Sequence, residues 1–180
     1  MKTILRIALL CSGLVIAASP VLAQDNAVFL GGSFTHNGNL PTTVKGAVAA
    51  LKDQTNLPGA DLGFSAKLAG PFGLALDLNY SHAPGNTQLT FAGGPEFTLR
   101  GKANHLFVHA LIGGAHQEQA TKFPITNLAD SSFVYFLGGG VRHFFGKHVG
   151  LQIGADYFYT EAFKASEHNL RATAGIVIRL

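Results

Sequence analysis

The chain has 180 residues, with 13 Lys and Arg against 10 Asp and Glu, eight histidines, one cysteine and no tryptophan. Only 13% of residues are charged, and no Lys/Arg stripe with interleaved aromatics occurs, so nucleic acid is excluded as a partner. A single cysteine excludes a disulfide-stapled small domain and a thiolate metal site.

Residues 1–23 read as a cleaved Sec signal peptide. Lys2 and Arg6 form a positive start, Ile7 to Ala18 an apolar run, and Val21-Leu22-Ala23 a cleavage site before Gln24. The run is too short to cross about 30 Å of hydrocarbon, and no positive stop-transfer cluster follows. Cys11 lies inside this segment, preceded by Leu9 and Leu10 rather than by a small residue that would mark a lipoprotein. The mature domain, residues 24–180, is therefore cysteine-free. Losing Lys2 and Arg6 leaves 11 cations against 10 acids, a net charge of +1.

In the mature chain the recurring signal is period-two alternation over about ten residues, the pattern of a strand with two unlike faces. Ala27 to His36 comes first, with Leu30 and Phe34 on its apolar face. The link from Asn37 to Pro58 carries Val44, Ala47, Val48 and Leu51 at helical spacing, which suits either a short amphipathic turn or an irregular loop. Next, Leu62, Phe64, Ala66 and Leu68 oppose Asp61, Ser65 and Lys67. Phe72, Leu74, Leu76, Leu78 and Tyr80 then oppose Gly73, Ala75, Asp77 and Asn79. Leu89, Phe91, Pro95, Phe97 and Leu99 oppose Thr90, Glu96, Thr98 and Arg100. Leu106, Val108, Ala110 and Ile112 oppose His105, Phe107, His109 and Gly113. Phe133, Tyr135, Leu137, Val141 and Phe145 oppose Ser132, Gly138, Gly140 and Arg142. Val149, Leu151, Ile153, Ala155, Tyr157 and Tyr159 oppose Gln152, Asp156 and Phe158. The last strand sets Leu170, Ala172, Ala174, Ile176, Ile178 and Leu180 against Arg171, Thr173, Gly175, Val177 and Arg179.

Eight such segments joined by alternating short and long links predict an all-β fold, an eight-stranded antiparallel up-and-down transmembrane β-barrel. The short links are Ala69 to Pro71, Gly101 to Asn104 and Gly146 to His148. The longer ones are Asn37 to Pro58, Ala83 to Thr87, Gln117 to Asp130 and Glu161 to Glu167. An even strand number puts both termini on the short-turn side, which would be the periplasm. The apolar face is continuous and nearly uncharged, with aromatics near strand ends, as a lipid-facing surface requires. The other face is rich in small residues and carries both signs of charge, which fits a lumen just wide enough to be filled. A soluble lipocalin-like barrel would need more exterior charge than 13% supplies.

Phe133 to Leu180 resembles the small outer-membrane β-barrel domain family, a porin-family barrel related in architecture to the transmembrane domain of outer-membrane protein A. The matching elements are Leu137-Gly-Gly-Gly-Val141, Lys147-His148-Val149-Gly150-Leu151-Gln152, Ala155-Asp156-Tyr157 and Asn169 to Leu180. His109-Ala-Leu-Ile-Gly-Gly-Ala115 fits the family's fifth strand. The resemblance implies insertion by the barrel-assembly machinery, which reads an alternating last strand ending in an aromatic residue. Here the last residue is Leu180.

Alternation sends Asp61, Lys67, Asp77, Glu96, Arg100, Arg142, Asp156, Arg171 and Arg179 to the lumen, where charges must be paired or hydrated. The expected outcome is an ion-pair plug in which Glu96, Asp77 and Asp156 sit among Lys67, Arg142 and Arg171. His36, His82, His116 and His168 fall at loop-side strand ends, as a rim that could take a transition metal or respond to acid. No pair has close ligand spacing, so neither a metal nor a cofactor is assigned. Adjacent Ser81 and His82 point to opposite faces of a strand and cannot form a nucleophile–base pair. The reading is a monomeric, non-enzymatic outer-membrane scaffold in contact with lipid, presenting loops outside. A narrow channel is the first alternative and a lipid-modifying enzyme a remote one.

Overall fold

The computed structural model describes residues 26–37, 56–122, 125–162 and 165–180, with side-chain environments for 26–36, 56–118, 129–160 and 168–180. The expected signal peptide and the helical spacing at Val44 to Leu51 lie outside the described residues. Each alternating segment forms a strand: β1 (Ala27–Asn37), β2 (Asn56–Ala69), β3 (Phe72–Ala83), β4 (Asn86–Arg100), β5 (Asn104–Lys122), β6 (Ile125–Phe144), β7 (Val149–Ala162) and β8 (Ala165–Arg179). All neighbours are antiparallel, and β8 pairs with β1 to close the barrel, so no sheet edge remains open.

Tracing register partners once around shows the stagger. From Ala27 the row passes Ser65, Ala75, Gly94, Leu111, Phe136, Phe158 and Asn169, and returns to β1 at Asn37, ten residues on. Spread over eight strands, each step climbs about one and a quarter residues, the tilt that closure demands.

The apolar side of every strand faces out. Phe133 is 72% exposed, Ile153 67% and Leu137 65%, while Arg171 is 3% and Glu96 3%. This inverts a water-soluble barrel, and the lipocalin-like alternative has the wrong face outward. An apolar surface this continuous is solvated well only by lipid or detergent. The lumen also has an apolar part. Leu111, Val134, Phe136 and Phe158 are buried together, and Phe144 and Val177 form a separate buried cluster with Ala27 toward the turn end.

The links differ from expectation on the loop side. Ala83 pairs with Asn86, so the expected longer link there is the two-residue turn Pro84-Gly85, with Gly85 at φ 84°. Proline fixes the first central position of such a turn and glycine alone tolerates the second. The Gln117–Asp130 and Glu161–Glu167 segments are mostly strand as well, paired out to Lys122–Ile125 and Ala162–Ala165. Long cross-strand ladders satisfy their backbone groups better than free loops would. β5 and β6 reach 19 and 20 residues as a result. On the turn side, Gly70 (φ 56°) and Pro71 join β2 to β3.

Candidate functional site in the lumen and at the outer rim

The nine charged residues assigned to the lumen all lie on the inner-facing positions of their strands, arranged in layers along the barrel. Near mid-height, three carboxylates converge on one guanidinium. Arg171 donates to both oxygens of Asp77 at 2.7 and 3.0 Å, and twice to Asp156 Oδ2 at 2.7 and 3.0 Å. Asp61 Oδ2 lies 3.3 Å from Arg171 Nη1 and accepts from Asn79 Nδ2 at 3.3 Å. The arginine of β8 thus ties β7 to β2 and β3 across the lumen.

Register explains half of this layer. Arg171 is directly opposite Asp156, Asp156 opposite Gly138, and Gly138 opposite His109. With no side chain at position 138, the Asp156 carboxylate reaches over β6 to His109 Nε2 at 2.7 Å. A Cβ at 138 would fall 1.9 Å from Asp156 Oδ1. The glycine is the gap through which β7 touches β5.

The second layer lies toward the turns. Arg142 grips Glu96 with two parallel bonds of 2.9 and 2.7 Å, the bidentate geometry of a strong charge-assisted pair. Ser65 and Thr98 donate to the same Glu96 oxygen at 2.6 and 2.9 Å, and Arg142 Nε donates to Gln152 at 2.7 Å. The third layer is at the turn-side mouth. Arg100 donates to the Gly70 carbonyl at 2.9 Å, Arg179 lies 3.2 Å from His105, and Lys67 takes an inward position on β2. The mouth is cationic, and carboxylates gather toward mid-height.

One feature of these layers was not foreseen from the sequence. Each luminal arginine of β6 and β8 lies over a phenylalanine: Arg142 over Phe107 at 4.2 Å, Arg171 over Phe136 at 4.7 Å and Arg179 over Phe144 at 4.0 Å. Phe136 and Phe144 share the parity of Arg142 on β6, which was the available signal. The ring supplies a quadrupole and removes water from one face of the cation. Phe107→Leu keeps the apolar bulk but loses the π face. It should destabilise the barrel by about 1 kcal/mol, read as a lower urea midpoint in the heat-shift gel assay.

The four loop-side histidines are elsewhere. His36, His82, His116 and His168 are exposed on the outer face, on β1, β3, β5 and β8, and do not converge. No group of three metal-ligating side chains occurs among the described residues. Ser81 is buried in the lumen and donates to Asn79 at 2.7 Å, whereas His82 faces out against Thr87 at 3.0 Å. The two stand on opposite sides of the wall.

No protein-family model and no curated protein matches the sequence. Solved structures do match in shape. The chain is similar to Neisserial surface protein A, with a TM-score of 0.64 and 10% identity over 86% of this chain and 97% of that one. It is similar to Ail, the attachment invasion locus protein of Yersinia pestis, at 0.55 and 13% over 86% and 98%. The N-terminal β-barrel domain of Pseudomonas aeruginosa OprF matches at 0.55 and 13% over 87% and 98%. At such identities the likeness concerns the fold, and that fold is the small eight-stranded barrel of outer-membrane proteins.

Proposed function

We propose that the chain is an integral outer-membrane scaffold, exported by residues 1–23 and inserted by the barrel-assembly machinery, with its termini and short turns periplasmic. It acts as a monomer that displays its loop-side hairpins, without catalysis. The observation that carries this reading is a lipid-suited exterior wrapped around a lumen braced from wall to wall. Arg171 and Arg142 cross the interior, each in several charge-assisted bonds, and aromatic rings back both. Such a core resists the re-pairing that opening requires. What it supports is display, most visibly the β5–β6 ladder, which runs six residues beyond the His116–Ser131 pair, about 20 Å along the strand.

A narrow channel is the second reading. A cavity of about 30 Å³ between the two charged layers, lined by Asp77, Glu96, His109 and Asp156, favours it, since it has room for a water molecule or two. Planar-bilayer recording of the refolded mature chain separates the two. The scaffold predicts silence from protein whose gel mobility shifts on heating. Discrete openings that change on Glu96→Gln would replace it with the channel.

A further inference from the structure

On the scale set by the ten-residue stagger, the four loop-side histidines lie within one residue of a common height, about 3 Å. They ring the barrel where its apolar surface ends. His36 follows exposed Phe34, His82 follows Tyr80, His116 stands beyond Ile112, and His168 beyond Leu170. Each ring is held at Nδ1 by a neighbour on the adjoining strand: Asn56 at 2.8 Å, Thr87 at 3.0 Å, Ser131 at 2.9 Å and the Tyr157 hydroxyl. Tethering Nδ1 leaves Nε2 to face the surroundings of the barrel. A neutral ring whose Nδ1–H donates, as His36 does to Asn56 Oδ1, offers a lone pair at Nε2, whereas a hydroxyl donating to Nδ1 leaves the hydrogen on Nε2. A protonated ring offers an N–H donor bearing positive charge.

Resting on the outer-membrane reading, we propose that these four imidazoles form an acid-responsive girdle that binds the phosphates of lipid headgroups in the loop-side leaflet. At the boundary of the apolar band the groups within reach are headgroups, and their phosphates complement protonated imidazole in charge and in hydrogen bonding. Imidazole ordinarily changes charge between pH 5 and 8, so the girdle strengthens as pH falls. The neighbours at this height are largely uncharged. His36 lies between Asn56 and Leu170 with His168 diagonal to it, His82 beside Thr87, and His168 beside Tyr157 and Tyr159. Among the described side chains, Glu118 lies 3.5 Å from His116 Nε2. Glu118 competes with phosphate for His116, so binding rests mainly on His36, His82 and His168.

The test uses the mature chain inserted in phosphatidylcholine vesicles containing spin-labelled phosphatidylglycerol, whose phosphodiester keeps its charge across the range. Selectivity for it over spin-labelled phosphatidylcholine should rise about fivefold from about pH 8 to about pH 5.5, near 1 kcal/mol for a surface charge on a headgroup. H36Q/H82Q/H168Q should abolish the rise and leave the heat shift unchanged. An equal rise in the triple variant, or none in the wild type, overturns the girdle. Loss of the rise on adding inorganic phosphate at constant ionic strength would make it a solute-anion site and overturn the lipid assignment. A chain that never inserts overturns the membrane reading and the girdle with it, and the missing heat shift identifies that case.

Discussion

Arg171→Met will destabilise the barrel by about 3–5 kcal/mol, the cost of breaking a buried ionic group by removing one partner. Methionine fills most of the volume and keeps the contact with Phe136, so the loss is electrostatic rather than a cavity effect. What remains is three carboxylates, Asp61, Asp77 and Asp156, around a position that held the one guanidinium binding them all. The comparison is Arg142→Met, which strands a single carboxylate, Glu96, still bonded by Ser65 and Thr98. That variant should lose less. Urea titration of vesicle-inserted protein, scored by the heat-shifted band, orders the two. Adding D61N and D77N to R171M removes the uncompensated charge and should recover part of the loss. An R171M barrel as stable as wild type would mean that the mid-height layer contributes nothing to holding the walls together.

The same layer shows what the sequence discloses and what it withholds. Period-two alternation placed Asp61, Asp77, Asp156 and Arg171 on one side of the wall, because in a strand parity is a covalent fact. It could not say that all three aspartates share one arginine. That depends on the ten-residue stagger, which brings positions on β2, β3, β7 and β8 to similar heights. Stagger is set by pairing between strands far apart in sequence, and no local pattern reports it. The histidines illustrate the same limit. Their loop-side location was legible from strand ends. Their common height and outward aim follow from register and parity together.

Connections failed for a different reason. Gln117 to Asp130 reads as loop because it mixes Gln, Glu, Thr, Asn and Asp with no apolar face. A hairpin that leaves the membrane has no core to face, so its alternation disappears while its backbone ladder continues. Periodicity therefore reports burial against lipid or lumen rather than strand as such. Ala83 to Thr87 is the converse, a short link whose Pro-Gly pair was the better guide to its length.

Gly138→Val is expected to cost about 3 kcal/mol, even though valine favours strands more than glycine does. Intrinsic propensity alone would predict a gain, so the sign of the effect decides between local preference and luminal packing. The added Cβ would fall 1.9 Å from Asp156 Oδ1 and 2.7 Å from the Ala155 carbonyl. The backbone oxygen cannot yield cheaply, and the carboxylate can yield only by leaving His109 and tilting away from Arg171. Gly32→Val is the matched control on the outer face, where the nearest atom to a new Cβ is 3.9 Å away. There valine gains strand propensity and meets lipid, so stability should hold or rise by up to about 1 kcal/mol. If both substitutions stabilise, the space over Gly138 is not needed by Asp156. If Gly138→Val alone destabilises, and Asp156→Asn in its background costs less than in the wild type, then the seat of Asp156 is what the glycine preserves.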